Sequence, residues 1–121
     1  MSIIKKVNIS VFMKSMQIFD EIVNRLVKEL NPEKIFLFGS YAWGKPDKGS
    51  DIDLYIIMKQ LEEPKVNSIR RAHKCLRGLN ISKDIILNTE FNTDNCTAIE
   101  TSFERKIVNE GLLLYAREST N

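Results

Sequence analysis

Two aspartates give this sequence its clearest candidate for chemistry. Asp51 and Asp53 stand two residues apart at the start of an apolar run, residues 52–58, that is typical of a strand. Because side chains two apart on a strand project to the same side, both carboxylates are expected to face one point. Like charges at such a point repel each other unless a cation lies between them. Hard oxygen ligands with open positions for a phosphate favour Mg²⁺ as that cation.

A glycine-rich loop precedes the aspartates. Gly39-Ser40 follows a second strand-like run, residues 34–38, and a short helical turn is expected to continue through Ala42. Such a turn offers backbone N–H groups and a hydroxyl to an anion, so the loop predicts a phosphate site that faces the metal site. The other interpretation of the aspartates is a polar strand end that faces water. The loop holds three of the chain's five glycines: Gly39, Gly44 and Gly49.

These residues resemble the signature of the polymerase-β type nucleotidyltransferases, which is Gly-Ser, a fixed spacer and Asp-X-Asp. The closer resemblance is to the minimal nucleotidyltransferases, which are small members of that family. Trp43 departs from the pattern because arginine is common at its position, although Lys45 and Lys48 are nearby cations. The matching stretches are Leu37-Phe38-Gly39-Ser40-Tyr41-Ala42 and Ser50-Asp51-Ile52-Asp53-Leu54, with ten residues, 41–50, between the Gly-Ser pair and the first aspartate.

The resemblance implies which residues act. Asp51 and Asp53 would bind one or two Mg²⁺ ions, and the family takes a third carboxylate from the strand beside the Asp-X-Asp strand. Asp84 begins an apolar run and fits that place, so it would also bind metal and accept the proton of the incoming hydroxyl. Without the resemblance, Asp84 is explained as the end of a loop. The nucleotide, ATP in most of the family, would contact Gly39, Ser40 and Ser50.

The resemblance also implies a reaction and a partner. The expected enzyme is a Mg²⁺-dependent nucleotidyltransferase that moves AMP from ATP to a tyrosine of a HEPN-type toxin and thereby acts as its antitoxin. Two alternatives stay open at this point. One is transfer to a small hydroxyl compound such as an aminoglycoside. The other is an antitoxin without catalysis that binds and blocks its partner.

Composition limits the protein class. The 121 residues fit one domain, 1–121, and the net charge of +2 gives no global basic field, so nucleic acid is not an expected partner. No apolar run has the length of a membrane span or of a signal-peptide core, which predicts a cytoplasmic protein. Cys75 and Cys96 lack metal-site spacing and are expected to be buried. Self-association and the identity of the acceptor are not specified by the sequence.

The elements around the site predict an α+β fold, a small mixed sheet of three to four strands flanked by helices, as the polymerase-β-like resemblance also implies. The two strands that flank the loop are expected to be antiparallel neighbours. A helix capped by Ser10 is expected before them, and one long helix, from about residue 92 to Gly111, near the end. The predicted elements are helix 11–30, strands 34–38 and 52–58, helix 64–78, strand 81–87 and helix 92–110, followed at 112–115 by either an edge strand or a segment packed on the core.

The helix at 64–78 has an unusual charge. Between Pro64 and Lys83 there is no acidic residue, while five basic residues follow the helix start. This basic helix is either a solvated face or a docking surface for an acidic partner or an RNA backbone. Val66 is expected on its apolar face. His73, the only histidine, is interpreted as a structural or surface residue and not as a catalytic one.

Overall fold

The computed structural model of the protein describes residues 9–44, 46 and 49–118. Within that part of the chain, no helix is both long and apolar enough to cross a membrane. The elements in chain order are α1 (Ile9–Leu30), β1 (Lys34–Phe38), α2 (Ser40–Trp43), β2 (Ile52–Met58), α3 (Lys65–Cys75), β3 (Lys83–Thr89), α4 (Glu90–Thr97), α5 (Phe103–Glu110) and β4 (Leu112–Ala116).

A four-stranded mixed sheet forms the centre of the fold, with the strand order β3-β2-β1-β4. β1 pairs antiparallel with β2 on one side and with β4 on the other, and β2 pairs parallel with β3. A parallel pair needs a crossover connection, and α3 provides it between β2 and β3. The α+β fold, the antiparallel pair that flanks the loop and the edge strand are therefore confirmed.

Helices cover both faces of the sheet. α1 and α3 pack on the face to which Ile52, Leu54 and Ile56 of β2 point. The other face carries Tyr55 and Ile57, which pack with residues of β1 and α5. Side chains alternate along a strand, so Asp53 projects from the second face, beyond Tyr55 and toward the end of the sheet where β2 begins.

Two helix predictions are wrong. The helix expected over 92–110 is two helices, α4 and α5, with a turn between them. Each helix has its own cap, because the Thr89 hydroxyl accepts from the N–H of Asn92 and the Ser102 hydroxyl accepts from the N–H of Arg105. At the other end of the chain, α1 begins at Ile9, so Ser10 lies within the helix and not before it as expected.

The third strand is displaced from its prediction. β3 covers Lys83–Thr89 and not 81–87, because its parallel register with β2 starts at the pair Ile52↔Lys83 and ends at Met58↔Thr89. The apolar run alone gave no register. The end of α1 at Leu30 agrees with the prediction, and Asn31 follows it in the left-handed conformation, with φ of 51°.

One basic residue of α3, Arg71, forms ion pairs with acidic residues of the same protein. Arg71 pairs with Glu29 of α1 at 2.9 Å and also with Glu63. The hydrogen bond from the Ser68 hydroxyl, together with Arg71, holds the pKa of Glu63 below its ordinary value. Val66, expected on the apolar face, is 57% exposed, so that assignment is wrong. The exposed basic residues of this region are Lys65, Arg70, Lys74 and Arg77, and a docking role for them stays a prediction.

The two cysteines are less buried than expected. Cys75 and Cys96 are free thiols, and both are half-buried. Burial raises the pKa of the Cys75 thiol, which keeps it in the protonated, unreactive form. His73 is also half-buried within α3.

Candidate active site

The carboxylate of Asp53 lies directly against the backbone of Gly39. These residues meet because Phe38 of β1 and Asp53 of β2 are opposite each other in the antiparallel pair. Gly39 has φ of +78°, and a Cβ atom placed on it would lie 2.0 Å from Oδ2 of Asp53. Only glycine allows both this left-handed backbone and this close approach. The Gly-Ser pair of the sequence motif is therefore in contact with its Asp-X-Asp pair.

A single helical turn follows Gly39, as predicted. The N–H groups of Ala42 and Trp43 donate to the carbonyl of Gly39 at 3.0 and 2.8 Å. The N–H of Gly44 closes the turn on the carbonyl of Ser40 at 3.0 Å. The first N–H groups of such a turn have no hydrogen-bond acceptor within the turn and point outward from its N-terminal end. Gly39 and Ser40 thus present a polar backbone beside the Asp53 carboxylate.

Asp84 stands beside Asp53 in the sheet. The two residues are paired across the parallel strands β2 and β3, so both side chains project from the same face. The pKa of Asp53 is raised first by burial and then by the negative charges of Asp84 and Asp51. Asp84 and Asp51 therefore lie close enough to Asp53 for their charges to act on its carboxylate.

Asp51 is held by a residue to which sequence reasoning gave no role. The hydroxyl of Ser82, in the loop before β3, donates to the Asp51 carboxylate. The carbonyl of Ser82 also accepts from the N–H of Ile52 at 2.8 Å. A serine two residues before Asp84 carries no signal of this contact in the sequence, because the contact follows from the register of β2 and β3.

The donor set fits a magnesium ion that binds together with a nucleotide. Across residues 9–44, 46 and 49–118, no three His, Cys, Asp or Glu side chains form a ready-made metal site. Mg²⁺ is usually bound by one or two carboxylates, with substrate phosphates and water completing its six ligands. Asp53, with like charges beside it and a polar backbone against it, suits that kind of site. Asp51 and Asp84 are the further oxygen ligands that the sequence predicts, and their binding of a metal ion stays a prediction.

The aromatic residues of the loop pack against the protein itself. The indole N–H of Trp43 donates to the carbonyl of Glu110 at 2.8 Å, and its ring lies 6.1 Å from that of Phe38. Nζ of Lys106 lies 4.6 Å from the centre of the indole ring. Trp43 is therefore a structural link between α2 and α5. Lys45 and Lys48, the other cations expected near the loop, lie outside the described residues.

Comparison with known proteins places the fold. A structure from Sulfolobus solfataricus, described as a nucleotidyltransferase, is 22% identical and covers 90% of this chain and 86% of its own, with a TM-score of 0.62. A toxin–antitoxin complex with AMP-PNP is 22% identical over 83% of this chain and 74% of that one, with a TM-score of 0.57. A tri-AMPylated Shewanella oneidensis HEPN toxin in complex with MNT antitoxin is 19% identical over 84% and 72%, with a TM-score of 0.54. At these identities, the likeness establishes the fold alone.

No curated protein sequence is significantly similar to this chain. The family model described as polymerase beta, nucleotidyltransferase, however, matches residues 20–120. That span contains β1, α2, β2 and β3, and with them the Gly39 contact to Asp53 and the pairing of Asp53 with Asp84. The chain belongs to the polymerase β nucleotidyltransferase family.

Proposed function

We propose that this protein transfers AMP from ATP to a tyrosine hydroxyl of a HEPN-type toxin and so acts as that toxin's antitoxin. The observation that carries the proposal is the position of Asp53, which lies against the Gly39 backbone and beside Asp84. This arrangement places a carboxylate pair next to a polar backbone turn, as nucleotidyl transfer from a triphosphate requires.

The nucleotide is held by groups on both sides of Gly39. Asp51 and Asp53 are the proposed Mg²⁺ ligands, with Asp84 completing the set. When bound, Mg²⁺ supplies positive charge that offsets the triphosphate and the charge that develops on the leaving pyrophosphate. Gly39 and Ser40 donate hydrogen bonds to the outer phosphates, and Ser50 contacts the nucleotide from the start of β2. The Ser82 hydroxyl keeps the Asp51 carboxylate oriented.

Asp84 is the proposed proton acceptor. It takes the proton of the incoming hydroxyl, whose oxygen forms a bond to the α-phosphorus. The bond between the α-phosphorus and the bridging oxygen breaks, and pyrophosphate leaves with that electron pair. No covalent intermediate with the protein is needed, so the residues act by holding and orienting the reactants.

The choice of acceptor is supported by structures of the same fold. One of them is a toxin–antitoxin complex with AMP-PNP, and another contains a tri-AMPylated HEPN toxin bound to an MNT antitoxin. These structures support a protein acceptor, and a tyrosine is the acceptor that the family resemblance implies and that we propose first. Transfer to a small hydroxyl compound has no observation of its own in this structure.

The test uses α-labelled ATP, Mg²⁺ and the purified product of the neighbouring gene, which the proposal expects to be a HEPN-type protein. Wild type is compared with Asp53→Ala and with a matched control, Asp94→Ala, which removes an exposed carboxylate on α4. We expect label on the HEPN protein with wild type and with the control. With Asp53→Ala, the amount of label should fall at least about a hundredfold. Substitution of a residue that only supports a metal ligand already costs up to about that factor.

Two outcomes would contradict the proposal. Label that persists with Asp53→Ala would remove Asp53 from the chemistry. A wild type that inhibits and binds the HEPN protein without labelling it would show inhibition by contact alone.

A further inference from the structure

Three basic residues form a stripe on the outer surface of α3. Arg70 and Lys74 are one helical turn apart, and Arg77 follows in the turn that ends the helix, where its N–H donates to the carbonyl of Lys74 at 3.2 Å. All three residues are exposed. Because a helix rises about 1.5 Å per residue, the three charges lie along about 10 Å of the surface. This length is about one Debye length, so the charges of this basic stripe act together.

Ion pairs do not neutralise the basic stripe. Within the described part of the chain, none of Arg70, Lys74 and Arg77 forms an ion pair. The nearby carboxylates of Glu29 and Glu63 are both paired with Arg71 instead. The positive charges of the stripe are therefore available to an anionic partner.

Charge is unevenly distributed over the molecule, although the net charge is only +2. Residues 65–82 contain five basic residues and no acidic one, whereas residues 90–110 contain five acidic and two basic residues. α3 packs on one face of the sheet, and α4 and α5 pack on the other. The two signs of charge are thus concentrated on opposite sides of the molecule. A polyanion would be attracted to α3 and repelled by the opposite side.

We propose that the basic stripe binds the phosphate backbone of duplex RNA. The inference goes beyond the proposed function and does not depend on it, because Asp53 and Asp84 project from the other face of the sheet. RNA bound at α3 would leave both carboxylates open. Arginine and lysine donate charge-assisted hydrogen bonds to phosphate oxygens, and an arginine can do so with two N–H groups at once.

The side chains around the stripe favour a phosphate backbone over an acidic protein. Protein interfaces are depleted of charged residues at their centre, where aromatic and other large side chains provide most of the affinity. α3 contains no Phe, Tyr or Trp, and Val66 is the one large apolar side chain exposed along its Lys65–Cys75 span. Stacking of single-stranded bases also needs aromatic side chains, so the surface suits a duplex better than a single strand.

The neighbouring helix favours RNA over DNA. α1 lies beside α3, where Arg71 pairs with Glu29 at 2.9 Å and Arg25 donates to the carbonyl of Cys75 at 3.2 Å. Two helices side by side are about 20 Å wide, whereas the major groove of DNA is about 12 Å wide and admits a single helix. α3 is therefore unable to enter that groove. An RNA duplex is instead recognised through the phosphates and 2′-hydroxyls along its wide, shallow groove, which a flat surface can contact.

The experiment measures binding of a fluorescent RNA duplex of about 16 base pairs by anisotropy, at about 50 and 200 mM salt and without nucleotide. The stripe variant carries Arg70→Gln, Lys74→Gln and Arg77→Gln. The control variant replaces three exposed lysines outside α3 by glutamine, so both variants have a net charge of −1 in place of +2. The lysines of the control variant are Lys34, Lys59 and Lys106.

We expect the wild type and the control variant to bind the RNA duplex with the same affinity. Three phosphate contacts predict a slope of about −3 when the logarithm of the binding constant is plotted against the logarithm of the salt concentration. The stripe variant should bind at least about tenfold more weakly and lose most of that slope. A DNA duplex of the same sequence and polyglutamate should both bind the wild type more weakly than the RNA does.

Four results would overturn the inference. The wild type binds no RNA at the lower salt concentration, or the stripe variant binds RNA as the wild type does. Equal losses in the stripe and control variants would show a response to net charge and not to position. Binding of DNA or polyglutamate at least as tight as that of RNA would point to another polyanion. Thermal unfolding of both variants verifies that the fold is kept, which is expected because every substituted side chain is exposed.

Discussion

At the scale of single residues, the site depends on how closely Asp53 is enclosed. Gly39 touches its carboxylate, and Asp84 and Asp51 act on its charge. The spacing of the sequence motif predicted that Gly39 and Asp53 are important, and the structure adds that they touch. That contact could not be read from spacing, because it needs the cross-strand pairing of Phe38 with Asp53.

Gly39→Ala tests this contact. The added methyl group would overlap with Oδ2 of Asp53 and would also force an alanine to φ of +78°. We expect nucleotide binding to fall at least about tenfold and the free energy of unfolding to fall by roughly 1–2 kcal/mol from the left-handed backbone alone. Binding of ATP with Mg²⁺ and urea unfolding measure the two effects.

Gly78→Ala is the matched control for that variant. Gly78 has φ of +91°, but nothing lies within 4 Å of a Cβ atom placed there. It should lose similar stability and keep nucleotide binding. Equal losses of binding in both variants would show that backbone strain, and not the displaced Asp53 carboxylate, explains the effect.

At the scale of elements, the strands were more predictable than the helices. Short apolar runs and the glycine loop between them specified β1, β2 and their antiparallel pairing. The split between α4 and α5 was not predicted, because apolar residues continue at helical spacing through the turn. The helix caps are the side chains of Thr89 and Ser102, and their hydrogen bonds are visible only in the structure. The displacement of β3 has a similar cause, because a parallel register is fixed by tertiary pairing and not by composition.

Trp43 links two elements, and this link predicts the effect of changing it. Trp43→Phe keeps a ring against Phe38 but removes the N–H that donates to the carbonyl of Glu110. We expect the free energy of unfolding to fall by about 1 kcal/mol, measured by urea unfolding. Lys106→Met, which removes only the cation from the indole face, should cost less. An unchanged stability in Trp43→Phe would contradict a structural role for the indole N–H.

At the scale of the whole molecule, the charge of Asp53 is a source of instability, and we expect a bound cation to relieve it. The net charge is only +2, so this repulsion is local and not a property of the overall charge. The pKa of Asp53 is raised above its ordinary value of 3.8, first by burial and then by Asp84 and Asp51. A group whose pKa is raised by folding stabilises the fold below its unfolded pKa, and that contribution is lost as pH rises through the folded pKa.

Asp53→Asn should therefore stabilise the protein when no metal is present. At pH 7 the wild type carries an ionised Asp53 beside two like charges, and the amide removes that charge. We expect Tm to rise on the order of a few degrees at pH 7, and the difference to shrink as pH falls toward 3.8. Adding Mg²⁺ with ATP should raise the Tm of wild type more than that of the variant. A variant less stable than wild type at pH 7 without metal would contradict this prediction, and calorimetry across pH measures it.

The parallel pairing of β2 with β3 has a consequence for the order of folding. β1 and β2 can join through the glycine loop as a local antiparallel pair, and Gly39 then already meets Asp53. Asp84 arrives only when β3 docks across the α3 crossover, and such long-range parallel contacts form slowly. A chain in which β3 has not docked would have the α2 turn and Asp53 in place but would lack the carboxylate of Asp84 beside them. The complete site thus needs the β2–β3 pairing as well as the local β1–β2 pair, so a chain in which β3 has not yet docked would hold its nucleotide poorly.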